Sequence, residues 1–322
     1  MNLSLSVLSV LCALCAFSVS SVSRSFADEA RAVVLGIAQD GGIPHIGCTR
    51  ALCEAARRDP ARRERVAALG LIDGAGRRFL IDATPDIASQ IESLNAGRED
   101  VDRRRPVDGI LLTHAHIGHY AGLMFLGREA LGADAVPVYA TARMAGFLRG
   151  NAPWSDLVAR KNIALAEITP GEDFALGRLR AVAIPVPHRD EHSDTVGYRV
   201  RGPAGAVLYI PDVDKWERWG RRLEDEVGAV DVALLDGTFF DAGELPGRNM
   251  AEVPHPLVSE TMTLLPAALR RRVRFIHLNH TNRLLTDDAA RRAAAADGIA
   301  VARDGDVISL SPQANARARG ER

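Results

Sequence analysis

The sequence predicts an α/β (α+β) protein in which β-sheets pack together under a cover of helices. Three observations carry that reading. Short apolar runs alternate with helix-permissive stretches along the chain, hairpin-type turns cluster in each half, and no glycine- or proline-rich linker divides it. Residues 28–310 therefore read as one domain.

The elements follow in order. Ala32–Ala38 reads as a first strand ending in the turn Asp40-Gly41-Gly42. Arg50–Ala68 is charged and helix-permissive, and Ala67–Ile72 with Arg78–Ile81 reads as a hairpin across Asp73-Gly74-Ala75-Gly76. Pro85 suits the first turn of a helix. Val107–Leu112 reads as a buried strand and Ala121–Leu131 as a helix behind it. Strands are expected at Val136–Tyr139, Ala164–Ile168, Leu179–Val186, Thr195–Val200, Ala206–Ile210, Val232–Leu235 and Val273–Leu278. Helices are expected at Trp216–Val227, Pro256–Arg270 and Asp287–Ala296, before two last strands at Ile299–Ala302 and Asp306–Leu310. From Ser311 to residue 322 the chain is polar and reads as a disordered tail.

Residues 1–27 read as a targeting segment. Leu3 to Val22 is apolar or serine without a charge, and Ser25-Phe26-Ala27 offers a small-x-small cleavage pattern before Asp28-Glu29. The segment carries no Lys or Arg at its start. A cleaved export signal implies a periplasmic or secreted protein, and a retained membrane anchor is the alternative. The formal charge of −1 becomes −2 once Arg24 is removed with the segment, which argues against general nucleic-acid binding. Cys12 and Cys15 lie in that segment. Cys48 and Cys53, with His45 close by, are left as a disulfide, free thiols or part of a structural zinc site.

Of the nine histidines, three fall in Thr113-His114-Ala115-His116-Ile117-Gly118-His119, directly after the Val107–Leu112 run. His114 and His116 are two apart, so on extended backbone both project to one side and can share an ion at about 2.0–2.1 Å. His119 lies past Gly118, where it can face a second ion. Other ligand-type residues also follow apolar strands: Asp82, His188, Asp212, Asp236 and His280. A sheet scaffold assembles a site from distant segments in this way. His192 competes with His188 for the mid-chain position. His277 reads as a core residue or one supporting the ligands, His255 as lining the pocket mouth, and Tyr120 and Asn282 as hydrogen-bond donors to substrate.

The series Asp82, His114-x-His116-x-x-His119, His188, Asp212 and His280 resembles the metallo-beta-lactamase fold hydrolases. Ala38-Gln39-Asp40-Gly41-Gly42, the nearby cysteines, the histidine run through Leu123, and His277-Leu278-Asn279-His280-Thr281-Asn282 are similar to the branch of coenzyme PQQ synthesis protein B. The resemblance implies a four-layer αββα sandwich with metals at one edge of the sheets. It implies that His114, His116 and His188 hold a first metal, and that His119 and His280 hold a second bridged by Asp212. Asp82 would orient the histidine loop. The family carries an acid just before the third histidine, and here Gly118 stands instead, so a firm first site and a weak or empty second one are expected.

The function these readings imply is metal-dependent hydrolysis of a small ester, lactone or phosphodiester-like substrate by a metal-bound hydroxide. Zinc is the expected ion and iron the other candidate, with Asp212 as proton acceptor and His255 on the substrate. An iron-dependent oxygenase or a carrier protein linked to pyrroloquinoline quinone (PQQ) biosynthesis is the alternative. The partner is a small molecule, with no nucleic acid and no membrane span after signal cleavage.

Overall fold

The computed structural model describes residues 29–312. The targeting segment expected at 1–27 and residues 313–322 of the expected tail lie outside the described residues. Ser311 itself is tied down, its hydroxyl accepting from the Ala30 N–H at 2.8 Å.

Among the described residues, fourteen strands, β1 Ala30–Val34, β2 Leu69–Asp73, β3 Arg78–Ile81, β4 Gly109–Leu111, β5 Val136–Thr141, β6 Ile163–Ile168, β7 Asp173–Leu176, β8 Leu179–Pro185, β9 Val196–Arg201, β10 Ala206–Ile210, β11 Val232–Asp236, β12 Val273–Ile276, β13 Ala300–Val301 and β14 Val307–Ser309, form two sheets. One has the order β14-β1-β2-β3-β4-β5-β6 and the other β13-β12-β11-β10-β9-β8-β7, each with seven strands. The helices are α1 Ala51–Arg58, α2 Ile87–Leu94, α3 Ile117–Tyr120, α4 Ala142–Gly150, α5 Trp154–Ala159, α6 Leu223–Gly228, α7 Val258–Leu264, α8 Ala267–Arg270, α9 Arg283–Thr286 and α10 Asp288–Ala296.

Period-two alternation explains the layering. Leu69, Leu71, Phe79, Ile81 and Leu111 join a core shared with Val182, Tyr198, Leu208, Leu234 and Phe275 of the second sheet. Their neighbours Ala68, Ile72, Leu80, Ile110 and Leu112 face the other way, onto Ile87, Leu94, Leu126, Met144 and Leu157 of the helical layer. Leu223, Val227, Val258 and Met262 from α6 and α7 cover the second sheet. The result is the four-layer αββα sandwich.

Several elements differ from the sequence reading. The expected helix Ala121–Leu131 is α3 followed by a 3-10 segment, Ala121–Leu126. The expected helix Pro256–Arg270 breaks at Pro266, whose preceding residue Leu265 is extended at φ −93°, ψ 131°. Trp216–Val227 is a 3-10 turn, Trp216–Arg218, and then α6. The hairpin partner β7 and the helices α4 and α5 escaped the reading. The last two strands go to different sheets, β13 beside β12 and β14 beside β1. The first strand ends at Val34, because the chain turns at Gly36, φ +151°. Ala38 then bridges Val66, ahead of β2 in one sheet, and Leu278, just past β12 in the other, so the next residues cross the sandwich edge.

Candidate metal centre

Strands β3 and β4 are parallel, as are β10, β11 and β12. Their carboxyl ends open at one edge of the sandwich, where in-sheet pairing stops and side chains turn into a shared hollow.

Asp82 ends β3 with φ 70° and is fully buried. Its Oδ1 accepts from the N–H and the hydroxyl of Thr113 at 2.9 and 2.8 Å, and its Oδ2 lies 2.8 Å from His119 Nδ1. Thr113 Oγ1 lies 3.0 Å from His114 Nδ1. With its hydroxyl proton given to Asp82, Thr113 accepts from the His114 ring. Both histidines thereby keep a proton on Nδ1 and turn Nε2, the atom that can ligate, towards the cluster.

Two groups of donors result, each with ligand-type atoms within 4.8 Å of one another. The first is His114, His116, His188 and Asp212, and the second is Asp40, His119, Asp212 and His277. Asp212 joins them: its Oδ2 lies 3.4 Å from His114 Nε2, 3.0 Å from His119 Nε2 and 3.5 Å from His277 Nε2. His188 Nε2 is 3.8 Å from Asp212 Oδ1 and 3.2 Å from His116 Nδ1. Asp40 Oδ1 lies 3.4 Å from His119 Nε2 and 3.6 Å from His277 Nε2.

The residues present fit a cation. His114 Nε2, His119 Nε2, His277 Nε2, Asp212 Oδ1 and Asp40 Oδ1 are all buried without a hydrogen-bond partner. Unsatisfied buried polar atoms are costly, so five of them shared between two adjoining donor groups fit bound cations. Burial, with His119 nearby, holds the His114 imidazole well below its ordinary pKa, and burial brings His188 down to about 4. Neutral imidazole is the ligating form. Burial also pushes His119 down, but Asp82, Asp212 and Asp40 outweigh it and raise the ring well above its usual value. Burial would raise Asp212, yet the surrounding histidines, His277 first, keep it well below the carboxylate range.

A third triad adjoins these. Asp236, His255 and His277 lie together, with His255 Nδ1 2.8 Å from Asp236 Oδ2 and 3.3 Å from Asp212 Oδ1. Thr238 donates to Asp236 Oδ1 at 2.7 Å, and Lys215 Nζ donates to the His255 carbonyl at 2.9 Å. Burial lowers His255, but Asp236 more than reverses this and raises the ring to about 9.

The structure corrects part of the expected set. His280, expected at the second metal, stacks on His45 with ring centroids 4.4 Å apart, and His277 takes its place in the cluster. The reason is backbone: His277 has φ 63°, so the strand ends at Ile276, two residues earlier than an apolar run through Leu278 suggests. His188, not His192, enters the first group; the exposed His192 lies against Phe147 at 5.4 Å. Tyr120 packs among Phe147 and Trp154. Asn282 caps α9 and donates to the Gly237 carbonyl at 2.7 Å. Cys48 and Cys53 are free thiols, accepting from the N–H groups of Arg50 and His45 respectively. Asp40 was missed as a site residue because its signal, an acid in an Asp-Gly-Gly turn, is that of a turn former.

Comparisons with known proteins agree with this fold. A family described as the beta-lactamase superfamily domain matches residues 77–278. Coenzyme PQQ synthesis protein B of Methylorubrum populi is 30% identical over 306 residues, covering 86% of this chain and 99% of that protein. The protein of the same name from Cupriavidus necator is 28% identical, covering 86% and 98%. Among solved structures, Zn(2+)-bound PqqB from Methylobacterium extorquens superposes with a TM-score of 0.73 at 24% identity, covering 87% of this chain and all of that one. A diphosphatase from the PhnP family gives 0.64 at 23% identity, covering 87% and 96%.

Proposed function

Because the chain belongs to the beta-lactamase superfamily, in the branch of coenzyme PQQ synthesis protein B, we propose that it is a metal-dependent hydrolase of a small ester, lactone or phosphodiester-like substrate. The observation that carries this reading is the pair of donor groups joined by Asp212, with their buried and unpartnered Nε2 and carboxylate atoms.

His114, His116 and His188 with Asp212 would hold one divalent ion, and His119, His277 and Asp212 would serve a second. A zinc-type ion supplies Lewis acidity, which polarises the scissile group and lowers the pKa of a coordinated water to about 7. The chain's own residues do the rest. Asp212, kept ionised, is the proton acceptor between the two groups. His255, its Nδ1 fixed by Asp236, keeps a proton at neutral pH and can give one from Nε2 to a leaving oxygen. Asp82 and Thr113 fix the tautomers of His119 and His114.

The names of the relatives support a link to PQQ biosynthesis, and with it a second reading in which the same centre would serve an iron-dependent oxygenase or a carrier. Three histidines and a carboxylate suit iron as well as zinc.

The test is metal identity and stoichiometry on protein purified without added metal, followed by an ester, lactone and phosphodiester panel and by oxygen uptake. The hydrolase reading expects turnover on the panel, with H116A losing both first-group metal and activity. Full hydrolysis by H116A protein stripped of that metal overturns it. Oxygen uptake with no hydrolysis moves the assignment to the second reading, and tight binding without turnover moves it to a carrier.

No helix among the described residues is long and apolar enough to cross a membrane. Export to the periplasm remains a proposal from residues 1–27, tested by N-terminal sequencing of the mature protein; an intact Met1 defeats it.

A further inference from the structure

Position 118 is closed to any side chain. A Cβ built on Gly118 would meet Asp40 Oδ1 at 2.0 Å, Asp40 Cα at 2.7 Å and Asp40 Cγ at 2.8 Å. The space an acid at 118 would enter is filled by an acid from a segment almost eighty residues earlier.

We propose that Asp40 is a ligand of the second metal, supplying from the loop after β1 the carboxylate that the histidine motif lacks at Gly118, and so completing a second site with His119, His277 and Asp212. The proposal rests on the metal-binding reading above and deepens it.

Three independent features place Asp40 there. The first is its aim: Oδ1 is buried without a hydrogen-bond partner, 3.4 and 3.6 Å from the Nε2 atoms of His119 and His277. A carboxylate oxygen withdrawn from water and left unbonded is expensive unless a cation meets it. The second is its mounting. The Gln39 N–H donates to the Leu278 carbonyl at 2.9 Å, and Asn279 Nδ2 donates to Gln39 Oε1 at 2.5 Å. Gly42 N–H closes the turn on the Gln39 carbonyl at 2.8 Å. Leu278 directly follows His277, so Asp40 and His277 are held in one register. The third is charge. Asp212 is shared with the first group, whose other donors are imidazoles, so Asp40 adds the one carboxylate that belongs to the second group alone and offsets buried positive charge there.

The loop is therefore part of the metal site, and metal loading should order it. The experiment titrates Zn2+ into the metal-free full chain, reading bound metal by elemental analysis and amide hydrogen exchange across 39–43. The native protein is expected to take two equivalents, the second slowing exchange at 39–43. D40N, close in shape to the native side chain, is expected to keep its unfolding midpoint in the metal-free state and to bind one equivalent.

Two equivalents in D40N, or unchanged exchange at 39–43 when the native protein takes up its second ion, overturn the role of Asp40 while leaving the metal-binding reading intact. A native protein that binds only one equivalent overturns the completed second site alone. A native protein that binds none overturns both. Should D40N fold poorly, the exchange measurement on the native chain still decides.

Discussion

Asp82 Oδ2 lies 2.8 Å from His119 Nδ1 in a pocket where neither residue has measurable exposure. The other oxygen of Asp82 takes both protons offered by Thr113. One carboxylate thus decides the register of the histidine loop and the ring atom that His119 turns to the cluster.

Replacing Asp82 separates these two effects. D82N keeps an acceptor for Thr113, and asparagine tolerates the left-handed backbone at φ 70°. Its amide group, facing His119 Nδ1, forces the opposite tautomer and places a proton on Nε2. D82N is expected to fold but to hold second-group metal 10–100-fold more weakly, roughly the cost of losing such a supporting partner. D82A, which orphans three donors, should also lower the unfolding free energy by about 3 kcal/mol. Metal titration and urea unfolding of the two variants check this, and equal metal affinity in D82N and the native protein refutes it.

The His255–Asp236 pair sets a pH dependence in the metal-free protein. The folded ring has its pKa raised to about 9, above the ordinary 6.5, so between these values the folded state binds more protons than the unfolded. The pair's contribution is therefore complete below about pH 6.5 and is lost as pH rises through about 9, amounting to about 3 kcal/mol. Urea unfolding of chelator-treated protein at pH 6, 7.5 and 9 should show this decline. H255Q should lose most of the slope in that window, and an identical slope in native and H255Q protein would count against it.

His277 and His280 give a direct contrast. H277A removes a donor from the second group and is expected to lower bound metal. H280A removes only the stack on His45 and should leave stoichiometry unchanged. Elemental analysis of both variants decides, and metal loss confined to H280A would reverse the assignment.

That contrast also shows what the sequence exposes. The strands were readable where alternation or a full apolar run was unbroken, as in Arg78–Ile81 and Ala206–Ile210, whose boundaries agree with the structure. His114, His116, His119, His188 and Asp212 were readable as a set because each follows such a run, and the structure brings them together. His277 was misjudged because one residue of positive φ inside an apolar run has no side-chain signature. Asp40 was invisible for a different reason. Its role depends on Gly36 turning the chain across the sandwich edge and on a contact with Gly118, and neither long-range pairing leaves a local pattern.

Gly122 shows how tightly the loop behind the histidines is seated. Its N–H donates to the Ala83 carbonyl, and the Ala83 N–H donates to the His119 carbonyl, both at 2.8 Å. A Cβ at 122 would meet the Thr84 carbonyl oxygen at 2.0 Å and that of Ala83 at 2.9 Å, and both are backbone atoms that cannot rotate away. G122A must therefore push the Ala121–Leu126 segment off the strand β3 exit and carry His119 away from Asp82. Overpacking of this kind costs about 1–3 kcal/mol, and His119 is the group that moves. G122A should accordingly lose second-group metal before first-group metal, because His114 and His116 precede the displaced segment. Unfolding midpoints and bound metal per chain, measured on one preparation, check both parts. A destabilised G122A with native metal content would mean that the strain is absorbed elsewhere than at His119.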